Sequence, residues 1–66
     1  MPKTIEELAV MLAERDGLTF EEEMRIIRDV AADMEYAFYN GNLDMVEQIL
    51  QTDLGLEPDY LDLFIF

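Results

Sequence analysis

The sequence predicts an all-α chain: a compact bundle of three helices closed by a short C-terminal helix, in a single small acidic domain covering residues 1–66. Three observations carry that expectation. Two helix-start signatures, "TIEE" from Thr4 and "TFEE" from Thr19, each put a hydroxyl three residues ahead of a glutamate, the arrangement of a capping box. Apolar residues behind each start recur at spacings of three and four, the period of a helix face. Strict alternation of apolar and polar residues, which a half-buried strand requires, is absent, and the terminal "LFIF" is too short and isolated to build a sheet.

The first helix opens at Thr4 and covers about residues 5–15. Ile5, Leu8, Ala9 and Leu12 form its apolar face, and "RDG" ends it with Gly17 suited to a left-handed cap. The second helix is the longest, from Phe20 to about Tyr39, where "NG" stops it. Phe20, Met24, Ile27, Ala31, Met34 and Phe38 make a seam with heptad-like spacing. Ile26, Val30 and Ala37 form a second strip beside it, so this helix is expected to be contacted from two directions and to be the central element. Opposite the seam stand Glu22, Asp29 and Asp33, with Tyr36 completing the polar face. Asp29 and Asp33 lie about 6 Å apart along the axis, one turn from each other.

Asn42 is a natural cap for the third helix, whose apolar positions are Leu43, Val46, Ile49, Leu50 and Leu54, with Gly55 as its stop. Pro58 then fits the first position of a short final helix over "PDYLDLF". Tyr60, Leu61, Phe64 and Ile65 would face inward. The terminal strip has two readings. Leu61, Phe64 and Ile65 pack onto the first and second helices and complete the core, or the strip stays exposed and becomes the seam of a homodimer. Phe66 is the residue least tied to the core and is carried as an apolar anchor.

A chain of this length buries only about 60% of the surface its unfolded form exposes, so it needs a staple. It has no Cys and no His, which removes disulfides and the common zinc sites. Good helix packing and self-association are what remain. No apolar run approaches the roughly 20 residues that cross a bilayer, and the N-terminus lacks the apolar stretch of a secretory signal. The expected location is the cytoplasm, with no membrane partner.

Charge is the strongest compositional signal, a formal net of -12 from 16 acids and 4 bases. Lys3, Arg15, Arg25 and Arg28 all lie in the first 28 residues, and residues 29–66 carry nine acids and no base. Carboxylates serving solubility alone would more often be interleaved with lysines, which supply helix-surface ion pairs. Direct binding of nucleic acid is disfavoured, because phosphates would meet like charge. The surface suits a basic site on another protein.

Chemical motifs fail on inspection. Nucleophilic catalysis needs an activated Ser, Cys, Thr or Lys beside a base; the chain has no Ser, Cys or His, its one Lys is Lys3, and Thr4 and Thr19 are spent as caps. No enzyme, cofactor or metal is expected. "NGNLD" offers Asn40, Asn42 and Asp44 at the alternate spacing of a calcium loop. It has Met45 where the loop needs Gly and Gln51 where it needs Glu. An acyl carrier protein would need a Ser. A DNA-reading helix-turn-helix over residues 12–30 would present Glu21, Glu22 and Glu23 to the major groove, where Arg, Lys, Asn or Gln belong. Of the five methionines, Met24 and Met34 fit the seam, Met11 and Met45 sit at the edges of their faces, and Met45 with Tyr36 is a surface anchor pair.

The stretches "LAERDGLTFEEEMRIIRD" and "GLEPDYL" resemble short proteins of bacterial and prophage genomes. Size, acidity and the lack of catalytic groups together resemble the small phage-encoded anti-CRISPR proteins of DNA-mimic type. The resemblance is one of type across the whole chain, without a shared motif, so no residue role is carried over. It implies an inhibitor that fills the basic channel or the PAM-reading site of a CRISPR effector in a bacterial host cell. Effector channels are lined with Lys and Arg to match DNA charge, and carboxylates on successive helical turns approximate a phosphate row. The acids nominated for that surface are Asp29, Asp33, Asp44, Glu47, Asp53, Glu57, Asp59 and Asp62; the apolar anchors are Tyr36, Met45 and Phe66. The alternative is a small helical interaction module, an antitoxin, adaptor or homodimer, that binds through exposed apolar residues. The chain is expected to be a monomer or a homodimer.

Overall fold

The computed structural model describes residues 1–64. Its elements are α1 (Ile5–Asp16), α2 (Phe20–Tyr39), α3 (Leu43–Leu54) and a short 3-10 helix (Pro58–Leu63). The all-α bundle is therefore observed, with no strand among the described residues. The expected inward placement of Ile65 and the anchor role of Phe66 fall outside them.

Each start follows from local hydrogen bonding. Thr19 Oγ1 accepts from the Glu22 amide at 3.1 Å, and Glu22 Oε1 accepts from the Thr19 amide at 2.9 Å, a complete capping box. The first box is only half formed. Thr4 Oγ1 accepts from the Glu7 amide, but the Glu7 carboxylate reaches one residue further back and accepts from the Lys3 amide at 3.1 Å. Asn42 Oδ1 caps α3 by accepting from the Met45 amide. At the other end of α3, Gly55 takes φ +67°, its amide donates to Gln51 O, and the Leu56 amide donates to Leu50 O. This doubled cap turns the chain so that Leu56 is buried.

α2 packs against both α1 and α3, and the 3-10 helix packs on α3. The central position of α2 was expected; the face it buries was not. Its buried residues are Glu23, Ile27, Val30, Met34 and Ala37, whereas Phe20 and Phe38, the ends of the expected seam, are each 39% exposed. Ile26 of the second strip is also exposed. The physical reason is that two helices press on α2 from different sides. The buried arc is then centred between the two apolar strips, taking Ile27 and Met34 from one and Val30 and Ala37 from the other. Glu23 lies one turn before Ile27 and is carried into the arc.

The remaining core comes from Leu8, Ala9 and Leu12 of α1, Val46, Leu50 and Leu54 of α3, and Leu56 and Phe64 beyond it. Leu43 departs from the expected apolar face of α3 and is 60% exposed. It opens the helix at the turn, where neither α1 nor the C-terminal segment provides cover. Tyr60, Leu61 and Leu63 are partly buried against the core, as the inward-facing reading of the final helix required for Tyr60 and Leu61.

Candidate protein-binding surface

All eight nominated acids are exposed. They are set out as local pairs on separate elements. Asp29 and Asp33 stand one turn apart on α2. Asp44 and Glu47 occupy the first two turns of α3. Asp59 and Asp62 lie three residues apart on the 3-10 helix, and Asp53 and Glu57 flank the cap at Gly55. Glu22, on the expected polar face of α2, is committed to the Thr19 cap, and the Thr19 amide and hydroxyl hold its carboxyl below the usual glutamate range.

The ion pair seen among the described residues is Arg15 with Asp16, where Nε meets Oδ1 at 2.8 Å and Nη2 meets Oδ2 at 3.1 Å. The Arg15 bond is the main reason that the Asp16 carboxyl lies below its ordinary range. None of the eight nominated acids accepts a bond from a Lys or Arg side chain among the described residues. One of them sits against local electrostatics. Asp53 stands in the last turn of α3, which has no basic residue, and a carboxylate there meets the negative end of the helix dipole. Glu57 precedes the 3-10 helix without making a side-chain cap.

Apolar surface is concentrated at the α2–α3 turn. Tyr36 is 75% exposed and Tyr39 68% exposed, three residues apart on α2, and the exposed Leu43 follows directly after the turn. Asn40 Nδ2 donates to Tyr36 O at 2.9 Å and so stiffens the helix end beneath them. The ring of Phe38 meets that of Tyr39 edge-on at 5.6 Å. Met45 is exposed as expected, and shares with Ile49 and Asp53 a shallow depression of about 190 Å³ on the outer side of α3. Tyr39 and Leu43 were not among the expected anchors. The signal that could have found them is their position at the ends of two helices joined by a short turn, where a bundle has no third helix to cover them.

A larger groove of about 480 Å³ runs between α1, α2 and the C-terminal segment, with Ile5, Met24, Ile27 and Ala31 facing Leu63 and Phe64, and Arg28 and Glu35 at its edge. Leu63 and Phe64 thus face the first and second helices across this groove, while the 3-10 helix packs on α3.

Glu23 is the chemically unusual group. It is 1% exposed, and its Oε2 has no hydrogen-bond partner among the described residues. Burial pushes its carboxyl up from the ordinary range, the Asp16 charge adds to this, and Arg15 opposes it. A raised carboxyl in a cleft marks an acid–base site, but Glu23 lines neither the large groove nor the shallow depression beside Met45. Among the described residues no group of three or more acids is arranged to hold a metal ion, and no helix is long and apolar enough to cross a membrane. No protein-family model matches the chain, and no curated protein or solved structure matches it either.

Proposed function

We propose that the protein is a non-enzymatic inhibitor of anti-CRISPR type, acting in the bacterial cytoplasm, whose acidic surface occupies the basic DNA-binding site of a CRISPR effector. The observation that carries this reading is the exposure of all eight nominated carboxylates, from Asp29 to Asp62, in a part of the chain without a single Lys or Arg. Such a surface attracts a channel lined with cations over distance and repels the nucleic acid that the channel normally holds. The uncompensated carboxylate of Asp53 at a helix end points the same way, because fold stability alone would favour a base there.

The test is DNA cleavage by a purified, guide-loaded Cas9-type effector with increasing amounts of the protein, repeated at several salt concentrations and with the target duplex added before or after it. Inhibition that weakens with salt and is lost when the duplex is bound first supports the reading. Inhibition indifferent to both, or none across a panel of effectors, sinks it.

A second reading is a small helical interaction module, an antitoxin, an adaptor or a homodimer, that binds through hydrocarbon. It is favoured by the exposure of Tyr36, Tyr39 and Leu43, since aromatic side chains supply large contact area at interfaces. It predicts binding that survives high salt and fails when those residues are truncated.

A further inference from the structure

We infer that the tip of the bundle, formed by Tyr36, Tyr39 and Leu43 at the α2–α3 turn, is a docking knob for a cationic amphipathic helix on the partner protein. The inference rests on the proposed function only in taking the partner to be basic. Three side chains more than half exposed, two of them tyrosines, are gathered at one end of two helices. Apolar residues scattered singly over a surface need no explanation, but a contiguous group marks a contact site.

Charge decides among the occupants. The stretch through the tip, residues 33–47, carries the four acids Asp33, Glu35, Asp44 and Glu47 and no Lys or Arg. A second copy would bring the same carboxylates against themselves, with a net of -12 on each chain. An anionic lipid surface would be repelled in the same way. A neutral apolar helix would satisfy the rings and leave the acids unanswered. A helix with an apolar strip flanked by Lys or Arg answers both, with hydrocarbon against the rings and cations against the surrounding carboxylates. The tip is also built for rigidity. It stands on the last turn of α2 and the first turn of α3, held by the Asn40 bond to Tyr36 O and the Asn42 cap, so little freedom is lost on docking.

The experiment is an NMR titration of the full chain with two synthetic peptides of equal length and positive charge, one a Lys/Leu amphipathic helix and the other a Lys/Ser sequence. The Lys/Leu peptide is expected to bind roughly tenfold tighter or better, with amide shifts centred on Tyr36, Tyr39 and Leu43. The variant Tyr36→Ser/Tyr39→Ser/Leu43→Ser should keep a folded spectrum and lose the preference. Equal affinities, a preference that survives in the variant, or shifts centred on Ile5, Met24 and Phe64 in the large groove would each overturn the inference. Sedimentation of the wild-type chain as a dimer that the variant converts to monomer would also overturn it, by making the tip a self-association face. These outcomes do not depend on whether any effector is inhibited, so the tip and the proposed function stand or fall separately.

Discussion

Arg15 and Gly55 join the ends of two helices that are distant in sequence. A β-carbon on Gly55 would stand 3.4 Å from Nη1 of Arg15, so the guanidinium lies directly over the turn that closes α3. Arg15 is also the basic residue of the last turn of α1. Its Nε and Nη2 hold Asp16, and Nη1 is left on the side of Gly55. One cation thereby serves the negative ends of two helix dipoles. Glu23 of α2 is held within the influence of the same guanidinium.

Gly55→Ala should therefore destabilise only slightly more than Gly17→Ala. Both glycines are left-handed, with φ +67° and +70°, but a β-carbon on Gly17 meets nothing within 4 Å. The backbone cost is common to both, about 1–2 kcal/mol. At Gly55 the added β-carbon would meet Arg15 Nη1 at 3.4 Å, an ordinary contact with the flexible end of a side chain, so the further cost is small. Urea unfolding of the two variants, repeated in an Arg15→Ala background, separates the contributions: the difference should vanish when Arg15 is gone. Equal losses with Arg15 present would mean that the guanidinium contributes nothing at this end.

Glu23 predicts a stability that rises on mild acidification. Its carboxyl is raised in the folded state, chiefly by burial and next by Asp16. The fold thus binds this proton more tightly than the unfolded chain does. The corresponding stability is fully present below the unfolded value, about pH 4.3, and is lost as pH rises through the folded value. Asp16 and Glu22 are lowered and act oppositely, losing their contribution as pH falls through their depressed values. Unfolding midpoints should then climb from neutral pH into the mildly acidic range and drop again in strong acid. Glu23→Met should flatten the climb and raise stability at neutral pH by about 1 kcal/mol or more, because a buried unpaired oxygen is removed. General charge repulsion also relaxes on acidification, so the decisive quantity is the difference in slope between variant and wild type. Parallel slopes would clear Glu23 of the effect.

Glu23 also marks where sequence patterning stops being informative. Helix starts and stops were legible because caps are local chemistry: Thr19 with Glu22, Asn42, Gly17 and Gly55 act within a few residues of themselves. The rotation of α2 is a tertiary quantity. It depends on where α1 and α3 press, and two apolar strips flanking the true face leave the pattern degenerate. Leu56 was missed for a related reason, since only the paired bonds at Gly55 turn it inward. The exposed acids were legible because few positions on so small a bundle can hide a carboxylate. The tip was half legible. Tyr36 lies on the polar face of its helix, whereas Leu43 keeps apolar spacing and is exposed only because α3 begins beyond the reach of its neighbours.

Phe64 should be a structural residue. It is 9% exposed, belongs to the core and closes the groove opposite Ile5, Met24 and Ile27. Phe64→Ala should cost about 3 kcal/mol, a large share of the stability of so short a chain. Asp62→Asn, two residues earlier and exposed, serves as the control and should change little. Thermal melts of both, with the mass in solution measured alongside, make the comparison. A Phe64→Ala protein with unchanged melting temperature and unchanged mass would remove the terminal strip from the core.

Asp53 offers a test of whether its charge is kept for binding at the expense of the fold. Its carboxylate stands in the last turn of α3, which has no cation, and like charge at a helix end costs about 0.3–1 kcal/mol at low ionic strength. Asp53→Lys should reverse that sign and raise stability by a similar amount. The gain should shrink as salt is added, because the interaction is exposed and screened within about 10 Å at 0.1 M. Urea unfolding at low and high salt measures both quantities. If the acids form the contact surface, the same substitution should weaken inhibition of the effector while strengthening the fold. Opposite movement of stability and inhibition is what distinguishes a carboxylate kept for a partner from one kept for solubility. A variant that is more stable and inhibits equally well would take Asp53 out of the proposed interface.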